Sequence, residues 1–192
     1  MAKPVLFKRN SFAGNVGGHA PRAFLFGTRL ATPEGLRNVE MFDVGDTVAS
    51  TNGAMTVARI ERTIVRRLDL IYRRDDWPIR VPVGSLGNPG PLRLSPDQRV
   101  LLSGSTVERV AKAPEVSVSV RDLVGLRGLI VERPIADLHY TALEFGRPVV
   151  VEAEGVACEI AAGDAPLVDR ETARAAFTAM NSQGEPPLRT LR

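Results

Sequence analysis

Thiols and imidazoles, the side chains best suited to nucleophilic attack and proton transfer near neutral pH, are scarce in this sequence. The chain has one cysteine, Cys158, and two histidines, His19 and His139. A thiolate can attack a carbonyl carbon, and a nearby imidazole can activate the thiol and protonate the leaving group. However, Cys158 lies in the apolar, alternating stretch GVACEI, with no histidine near it in sequence. We therefore predict that Cys158 is a buried structural residue and that His139 is a hydrogen-bonded structural residue.

The same scarcity argues against metal centres and covalent cross-links. A single cysteine can form neither an intrachain disulfide nor a thiolate cluster. Two histidines that lie far apart in the sequence do not match the ligand spacing of a zinc site. We predict no metal site and no cofactor.

The elements that must position any site are short strands. From residue 23 to about 164, apolar and polar residues alternate over runs of four to eight residues, separated by Gly and Pro. Thr51-Asn52-Gly53 predicts a tight hairpin turn of type I′, with positive φ at both Asn52 and Gly53. The one predicted helix covers about residues 169–180, with Asp169 as its N-cap and an end before Gly184. The sequence thus predicts an all-β fold with one C-terminal helix.

Length and charge set further bounds. The chain has 192 residues, 44% of them apolar, and a net charge of +3. This length suits one domain, and the mild basicity is only weak support for a nucleic-acid partner. No apolar run approaches a membrane span, and Val5-Leu6-Phe7 is too short for the core of a signal peptide. We expect no membrane span and synthesis in the cytoplasm, with any export occurring as part of an assembly.

Arginines are concentrated between residues 59 and 80, which we interpret as a projecting hairpin. Acidic residues are interleaved with them, and Tyr72 and Trp77 are the only aromatic residues there. Nucleic-acid binding requires one basic face with aromatic rings for stacking, so a solvated sheet face is the favoured interpretation and a protein-contact surface the second. The candidate surface residues are Arg62, Arg66, Arg67, Arg73, Arg74 and Trp77.

Three segments follow one another in the order and approximate spacing of a known family. AFLFGTRLATPEGLRNVEMFDVGDTV (residues 23–48) is similar to an opening Cys-x-x-x-Gly-Thr-x-Ile-x-Thr-Pro-x-Gly motif followed by Val-Glu and Gly-Asp. WPIRVPVGSLGNPGPLRLSPDQRVLL (77–102) is similar to a block that ends Ser-Pro-x-His-x-x-Leu-Leu. YTALEFGRPVVVEAEGVACEI (140–160) resembles a closing strand pair that carries a histidine. Together they resemble the Hint (Hedgehog/intein) domain, in its bacterial stand-alone form.

The resemblance implies a self-cleaving chemistry. In such a domain a first-position Cys or Ser attacks the preceding carbonyl, a His protonates the leaving nitrogen, and Thr or Ser groups polarise the carbonyl. In this sequence the nucleophile position is occupied by Ala23, the His of the Ser-Pro-x-His block by Gln98, and the closing-strand His by Pro148. Thr28 and Ser95, both supporting positions, keep their hydroxyl groups. The resemblance therefore implies a Hint-like horseshoe whose reactive groups have been replaced.

These observations predict a function and two alternatives. The leading interpretation is a catalytically inactive Hint-derived structural or protein-binding subunit of a larger bacterial or phage-like assembly, homo- or hetero-oligomeric. One alternative is a self-cleaving domain with an unrecognised nucleophile, and the other is nucleic-acid binding through the arginine-rich segment. We expect an N-terminal arm (1–22), a Hint-like β domain (23–164) and a C-terminal helix with its tail (165–192).

Overall fold

The computed structural model of this protein describes residues 22–161 and 163–185. The expected N-terminal arm, apart from Arg22, and the last seven residues of the expected tail lie outside the described residues. The described chain is mostly β-strand, as the alternating pattern predicts. The strands are β1 (Phe24–Leu25), β2 (Arg29–Thr32), β3 (Gly35–Asn38), β4 (Thr47–Ser50), β5 (Gly53–Thr56), β6 (Arg59–Val65), β7 (Ile79–Val81), β8 (Leu92–Leu94), β9 (Arg99–Ser103), β10 (Glu115–Ser119), β11 (Ile130–Val131), β12 (Leu138–Glu144), β13 (Val150–Ala153) and β14 (Val156–Glu159).

The strands form two open sheets. Sheet A has the order β11-β7-β8-β1-β12-β6, and sheet B has the order β10-β9-β14-β13-β2-β3, with β4 paired to β13 and β5 paired to β4. All pairings between these strands are antiparallel. Neighbouring strands in both sheets come from distant parts of the sequence. In sheet A, for example, β1 lies between β8 and β12, and in sheet B β2 lies beside β13. The expected all-β architecture is confirmed.

The hairpin predicted around Asn52 is present, but its turn is of another type. β4 and β5 pair with Ser50 opposite Gly53, so Thr51 and Asn52 are the two loop residues. Among the described residues near this turn, only Gly53 has a positive φ, at 87°. A type I′ turn would need positive φ at both loop residues, so that assignment was wrong. The freedom of glycine is used one position later, where β5 begins.

Two apolar cores lie against the sheets. The main core fills the space between sheets A and B, and its fully buried members include Phe24, Leu30 and Leu102. A second, smaller core covers the opposite face of sheet A and contains Tyr140 and Leu70. β1 separates the two cores because its two residues, Phe24 and Leu25, point to opposite faces.

The helix expected at the C-terminus is present and belongs to the main core. α3 (Arg170–Gln183) begins at Asp169, whose carboxylate accepts a hydrogen bond from the amide of Thr172, and it ends at Gly184. Phe177 is almost completely buried in the main core. α2 (Ser105–Ala111) packs against α3 and was not predicted. Its seven residues are too few for the apolar periodicity of a helix to be recognised.

The arginine-rich segment 59–80 is not a hairpin. β6 pairs with β12, whereas β7 pairs with β8 and β11. The residues between them include the single helical turn α1 (Arg67–Leu70), and Leu70 and Trp77 pack into the second core. The segment between β6 and β7 leaves the sheet because it covers apolar side chains at one end of sheet A. We call residues 66–77 the excursion below.

Candidate functional site: a cleft at the start of the first strand

The candidate site is a cleft on the face of sheet A that carries the second core. The excursion covers the end of this face where Val65 pairs with Leu138. The other end is open and forms a cavity of about 490 Å³. Cross-strand pairs of β12 and β6 build its floor, since Tyr140 lies opposite Thr63 and Ala142 lies opposite Glu61. The lining consists of Arg22, Ala23, Glu61, Thr63, Tyr140, Ala142, Leu143, Glu144, Phe145, Gly146, Arg147, Pro148, Ile160 and Ala161.

Two of the positions singled out in the sequence meet in this cleft. Ala23 immediately precedes β1 and is 1% exposed, and Pro148 lies in the loop between β12 and β13. Neither side chain can attack a carbonyl, donate a proton or accept one. Nor does any Cys, Ser or His line the cleft among the described residues. The two positions therefore form part of one pocket, and its lining there is apolar.

Gln98 lies beside the cleft region but acts as a structural tie. It is fully buried, and its Nε2 donates to the carbonyl oxygens of Arg99 (3.1 Å) and Glu159 (3.0 Å). Its backbone carbonyl accepts a hydrogen bond from the amide of Val120, 3.0 Å away. The amide side chain thus joins the turn before β9 to the end of β14. Its Oε1 is buried and has no hydrogen-bond partner among the residues that the structure describes.

The two supporting hydroxyl positions are separated by the fold. Ser95 is fully buried, and its carbonyl oxygen accepts the amide of Gln98 at 3.0 Å, which closes the turn after β8. Thr28 lines a different cavity of about 430 Å³, together with Arg80 and Arg93. Its carbonyl accepts the amide of Val39 at 2.8 Å. This bond joins the turn between β1 and β2 to the residue after β3, and Thr28 does not line the cleft that contains Ala23.

The buried carboxylate of Glu159 lies next to Arg22, where the chain enters the cleft. No pattern in the sequence indicated this group. Glu159 is 1% exposed and accepts hydrogen bonds from Ser117 Oγ (2.8 Å) and the amide of Gly163 (2.7 Å). The guanidinium groups of Arg99 and Arg22 lie 3.6 and 4.0 Å from it. Burial, and then the neighbouring Arg99, lowers the pKa of Arg22. This cluster anchors Arg22, the residue before Ala23.

The two hydroxyl groups that line the cleft are poorly suited to attack. Burial raises the pKa of Tyr140, and the nearby carboxylate of Asp76 raises it further, so the phenol stays neutral. Thr63 lies within β6 and is buried. An alternating strand places Glu61, Thr63 and Val65 on one face, a signal available from their spacing alone. Only the pairing with β12 shows that this face borders the cleft.

The six predicted surface residues do not form one surface. Arg62 Nη2 donates to the carbonyl of Phe42 (2.6 Å), and Trp77 packs into the second core with its Nε1 donating to Leu70 O (2.7 Å). The remaining four arginines, all on the excursion, are Arg66, Arg67, Arg73 and Arg74.

Three of these four are already engaged. Arg66 lies 3.6 Å from Asp137, Arg73 pairs with Asp76, and Arg74 lies over the Trp77 ring at 5.9 Å. A phosphate backbone needs cations that are free to replace its counterions. The excursion therefore offers little of what nucleic-acid binding requires.

The residues that could carry other chemistry have structural positions. Cys158 is fully buried in the main core, as predicted, and burial raises its pKa. The ring of His139 makes an edge contact with Phe26, with centroids 6.3 Å apart. Within residues 22–161 and 163–185, no group of three His, Cys, Asp or Glu side chains could hold a metal ion. No helix in the same residues is long and apolar enough to cross a bilayer.

The fold and the cleft define an all-β domain whose first strand begins inside a pocket. A family model described as the Hint domain matches residues 22–164, and this protein therefore belongs to the Hint-domain family. The match covers both open sheets and includes Ala23, Thr28, Ser95, Gln98 and Pro148. No curated protein matches the sequence.

Solved structures are similar in fold. An intein-like domain of Clostridium thermocellum has a TM-score of 0.50 and 12% identity, and the likeness covers 74% of this chain and 100% of that one. The MchDnaB-1 intein has a TM-score of 0.45 and 14% identity, over 72% of this chain and 100% of that one. A splice-inactive variant of the AceL NrdHF class 3 split intein gives 0.47 and 16%, over 74% and 99%. At 12% identity, the likeness to the Clostridium thermocellum domain indicates a shared fold alone.

Proposed function

We propose that this protein is a catalytically inactive Hint-domain subunit that binds another polypeptide chain. The observation that carries the proposal is the composition of the cleft. Ala23 and Pro148 occupy the positions at which the resemblance places a nucleophile and a histidine, and both line one pocket. The side chains that made the cleft reactive are thus replaced by groups that cannot react, while the pocket itself persists.

The remaining candidate nucleophiles support the same proposal. Cys158 is fully buried, and its raised pKa keeps the thiol neutral. Asn181 and Ser182, which are similar to the Asn-Ser pair at an intein C-terminal junction, lie within the last turn of α3. In a helix the asparagine side chain is not held in the geometry that cyclisation requires. Self-cleavage through an unrecognised nucleophile therefore has no favoured residue among those described.

A binding role accounts for what has been kept. The domain retains two cores, the buried cluster around Glu159 and an open cleft, none of which requires a reactive group. We propose that the setting is a larger assembly, bacterial or phage-like, in which the domain contributes contacts. This setting rests on the family alone, because one fold serves many functions.

The intact mass of the purified full-length chain tests the proposal. We expect one species at full mass, unchanged by a thiol or by hydroxylamine, since no ester or thioester forms. Hydroxylamine releases acyl fragments from such intermediates. Fragments that separate at Arg22–Ala23 or after Asn181 would mean that the domain is a self-cleaving enzyme and would overturn the proposal.

A second measurement separates binding from nucleic-acid affinity. The subunit should be recovered from its source in a complex with another polypeptide, and that complex should withstand nuclease. Binding that requires nucleic acid, with an affinity falling steeply between 50 and 200 mM salt, would instead favour the arginine-rich alternative.

A further inference from the structure

β6 forms one edge of sheet A, and its free side can be identified from the hydrogen-bond pattern. The amide of Phe26 donates to the carbonyl of His139 (2.9 Å), so odd-numbered residues of β12 direct their backbone groups towards β1. Even-numbered residues such as Tyr140 therefore direct theirs towards β6. Tyr140 lies opposite Thr63, so the backbone groups of Thr63 point inward. The groups of Ile60, Arg62 and Ile64 point outward.

These outward groups have no partner within the described chain. β6 pairs with β12 alone, and no backbone or side-chain hydrogen bond to the amides or carbonyls of Ile60, Arg62 and Ile64 is present there. Three donor–acceptor pairs, each about 6.6 Å from the next, therefore lie along a seven-residue edge. This spacing matches that of the backbone donors and acceptors along one side of an extended polypeptide.

The same edge borders the cleft. Glu61 and Thr63 belong both to β6 and to the cleft lining. A strand added beside β6 would continue the cross-strand rows, so every second side chain would lie on the cleft face. The row that contains Leu25, Tyr140 and Thr63 would be extended by one residue, next to the buried Thr63.

The side chains of β6 specify the charges that such a strand should carry. Val65 and Thr63 are buried, which favours apolar residues opposite them. Glu61 is exposed, and its only cation among the described residues is Arg59 at 4.0 Å, so a basic residue opposite it is favoured. Arg59 donates to Glu144 at 3.2 Å but its side chain is 65% exposed, so an acidic residue opposite it would share the guanidinium. The matching pattern is apolar, apolar, basic, acidic at alternate positions.

We propose that the β6 edge and the cleft bind an extended segment of a partner polypeptide that carries this pattern and pairs antiparallel to β6. The proposal rests on the proposed function and names the element that performs the binding. A second copy of this chain fits less well. The fully overlapped antiparallel pairing of two β6 strands would place the Arg62 residues of both copies opposite each other, and directly opposed like charges are destabilising.

A synthetic peptide tests the proposal without altering the protein. The probe is acetyl-Thr-Val-Thr-Val-Thr-Lys-Thr-Glu-Thr-amide, in which the second residue would lie opposite Val65 and the eighth opposite Arg59. With the full-length chain at saturating peptide, we expect at least tenfold slower hydrogen exchange at the amides of Ile60, Arg62 and Ile64. N-methylation of the third, fifth and seventh residues removes the bonded amides and should abolish this protection. N-methylation of the fourth and sixth, which face away from β6, should leave most of it.

Exchanging the charges of Glu61 and of the peptide residue opposite it tests which residues of the two strands lie opposite each other. Glu61→Lys should weaken the probe about two- to fivefold, the effect of one cross-strand pair. A peptide with Glu in place of Lys should then bind the Glu61→Lys variant more tightly than it binds the unchanged protein. Glu171→Lys, on the exposed first turn of α3, is the matched control and should change neither affinity.

Three results would overturn the proposal. The first is no change at the three outward amides with millimolar peptide, and the second is equal binding of the two N-methylated peptides. The third is slow hydrogen exchange at these amides without peptide, because the edge would then be occupied by this protein itself. Protection that does not depend on protein concentration would indicate the same chain, and protection that rises with it would indicate a second copy. A chain that stays intact and still forms a nuclease-resistant complex under any of these results would retain the proposed function with a different binding surface.

Discussion

Ala23 and Pro148, far apart in the sequence, line one cleft at the start of β1. The first is supplied by the residue before a two-residue strand, and the second by the loop between β12 and β13. Their proximity depends on β12 pairing with β1, which brings the end of β12 beside Arg22 and Ala23. The proposal that the family's reactive groups are replaced rests on this pair of side chains.

Returning the reactive groups to this cleft should show which position limits the chemistry. We expect Ala23→Cys alone to remain at full mass with hydroxylamine, because the described residues of the cleft lining include no imidazole to activate the thiol. The double variant Ala23→Cys/Pro148→His should release a hydroxylamine-dependent fragment that begins at residue 23, detected by intact mass. Pro148→His alone is the control. Cleavage by Ala23→Cys alone would show that another residue in this region activates the thiol.

The C-terminal helix should be essential for stability. Phe177 is buried in the main core on α3, so Phe177→Ala should lower the free energy of unfolding by about 3–5 kcal/mol. Thr178→Ala, one residue further along the same helix and exposed, should change it by less than about 0.5 kcal/mol. Urea unfolding followed by the fluorescence of the single tryptophan, Trp77, measures both. Equal effects of the two substitutions would mean that α3 does not belong to the cooperative core.

Two substitutions of Glu154 should separate the effect of its ion pair on stability from the effect of its left-handed backbone conformation. It has φ of 49°, and its carboxylate receives hydrogen bonds from the amide (3.0 Å), Nε (2.9 Å) and Nη2 (2.8 Å) of Arg29. Glu154→Ala removes the ion pair and keeps the unfavourable φ, whereas Glu154→Gly removes both. We expect both variants to melt below the unchanged protein, with the Gly variant about 1 kcal/mol more stable than the Ala variant. A more stable Ala variant would contradict the left-handed conformation at this position.

The cap of α3 should make stability depend on pH in the acid range. Hydrogen bonds from the amide of Thr172 lower the pKa of Asp169 in the folded chain. The ionised form is therefore favoured by folding, and the stabilisation is complete above the ordinary aspartate pKa of about 3.9. It is lost as the pH falls through the lower pKa of the folded state.

Thermal melting of two variants measures this dependence. Asp169→Ala should lower the Tm at pH 7, and the difference from the unchanged protein should shrink towards pH 2. Asp164→Ala, at an exposed position nearby, is the matched control. A difference for Asp169→Ala that stays constant from pH 7 to pH 2 would show that the ionised carboxylate is not the capping group.

The local features of this protein follow from neighbouring residues and could be predicted. Alternation over four to eight residues identified strands, since side chains of a strand alternate between faces wherever the strand is placed. Asp169 and Gly184 marked the ends of α3, because caps act on amides and carbonyls within one turn. The apolar stretch around Cys158 predicted its burial for the same local reason.

Only the tertiary structure decided which strands meet. The segment 59–80 has the alternation of a hairpin, yet β6 pairs with β12, whose residues come more than seventy positions later. That pairing places Glu61 and Thr63 in the cleft and lets residues 66–77 cover the second core. It also leaves one edge of β6 without a partner strand in the described part of the chain. The register of a non-local pair depends on the total apolar area that the whole chain can bury. No short stretch of sequence contains that quantity.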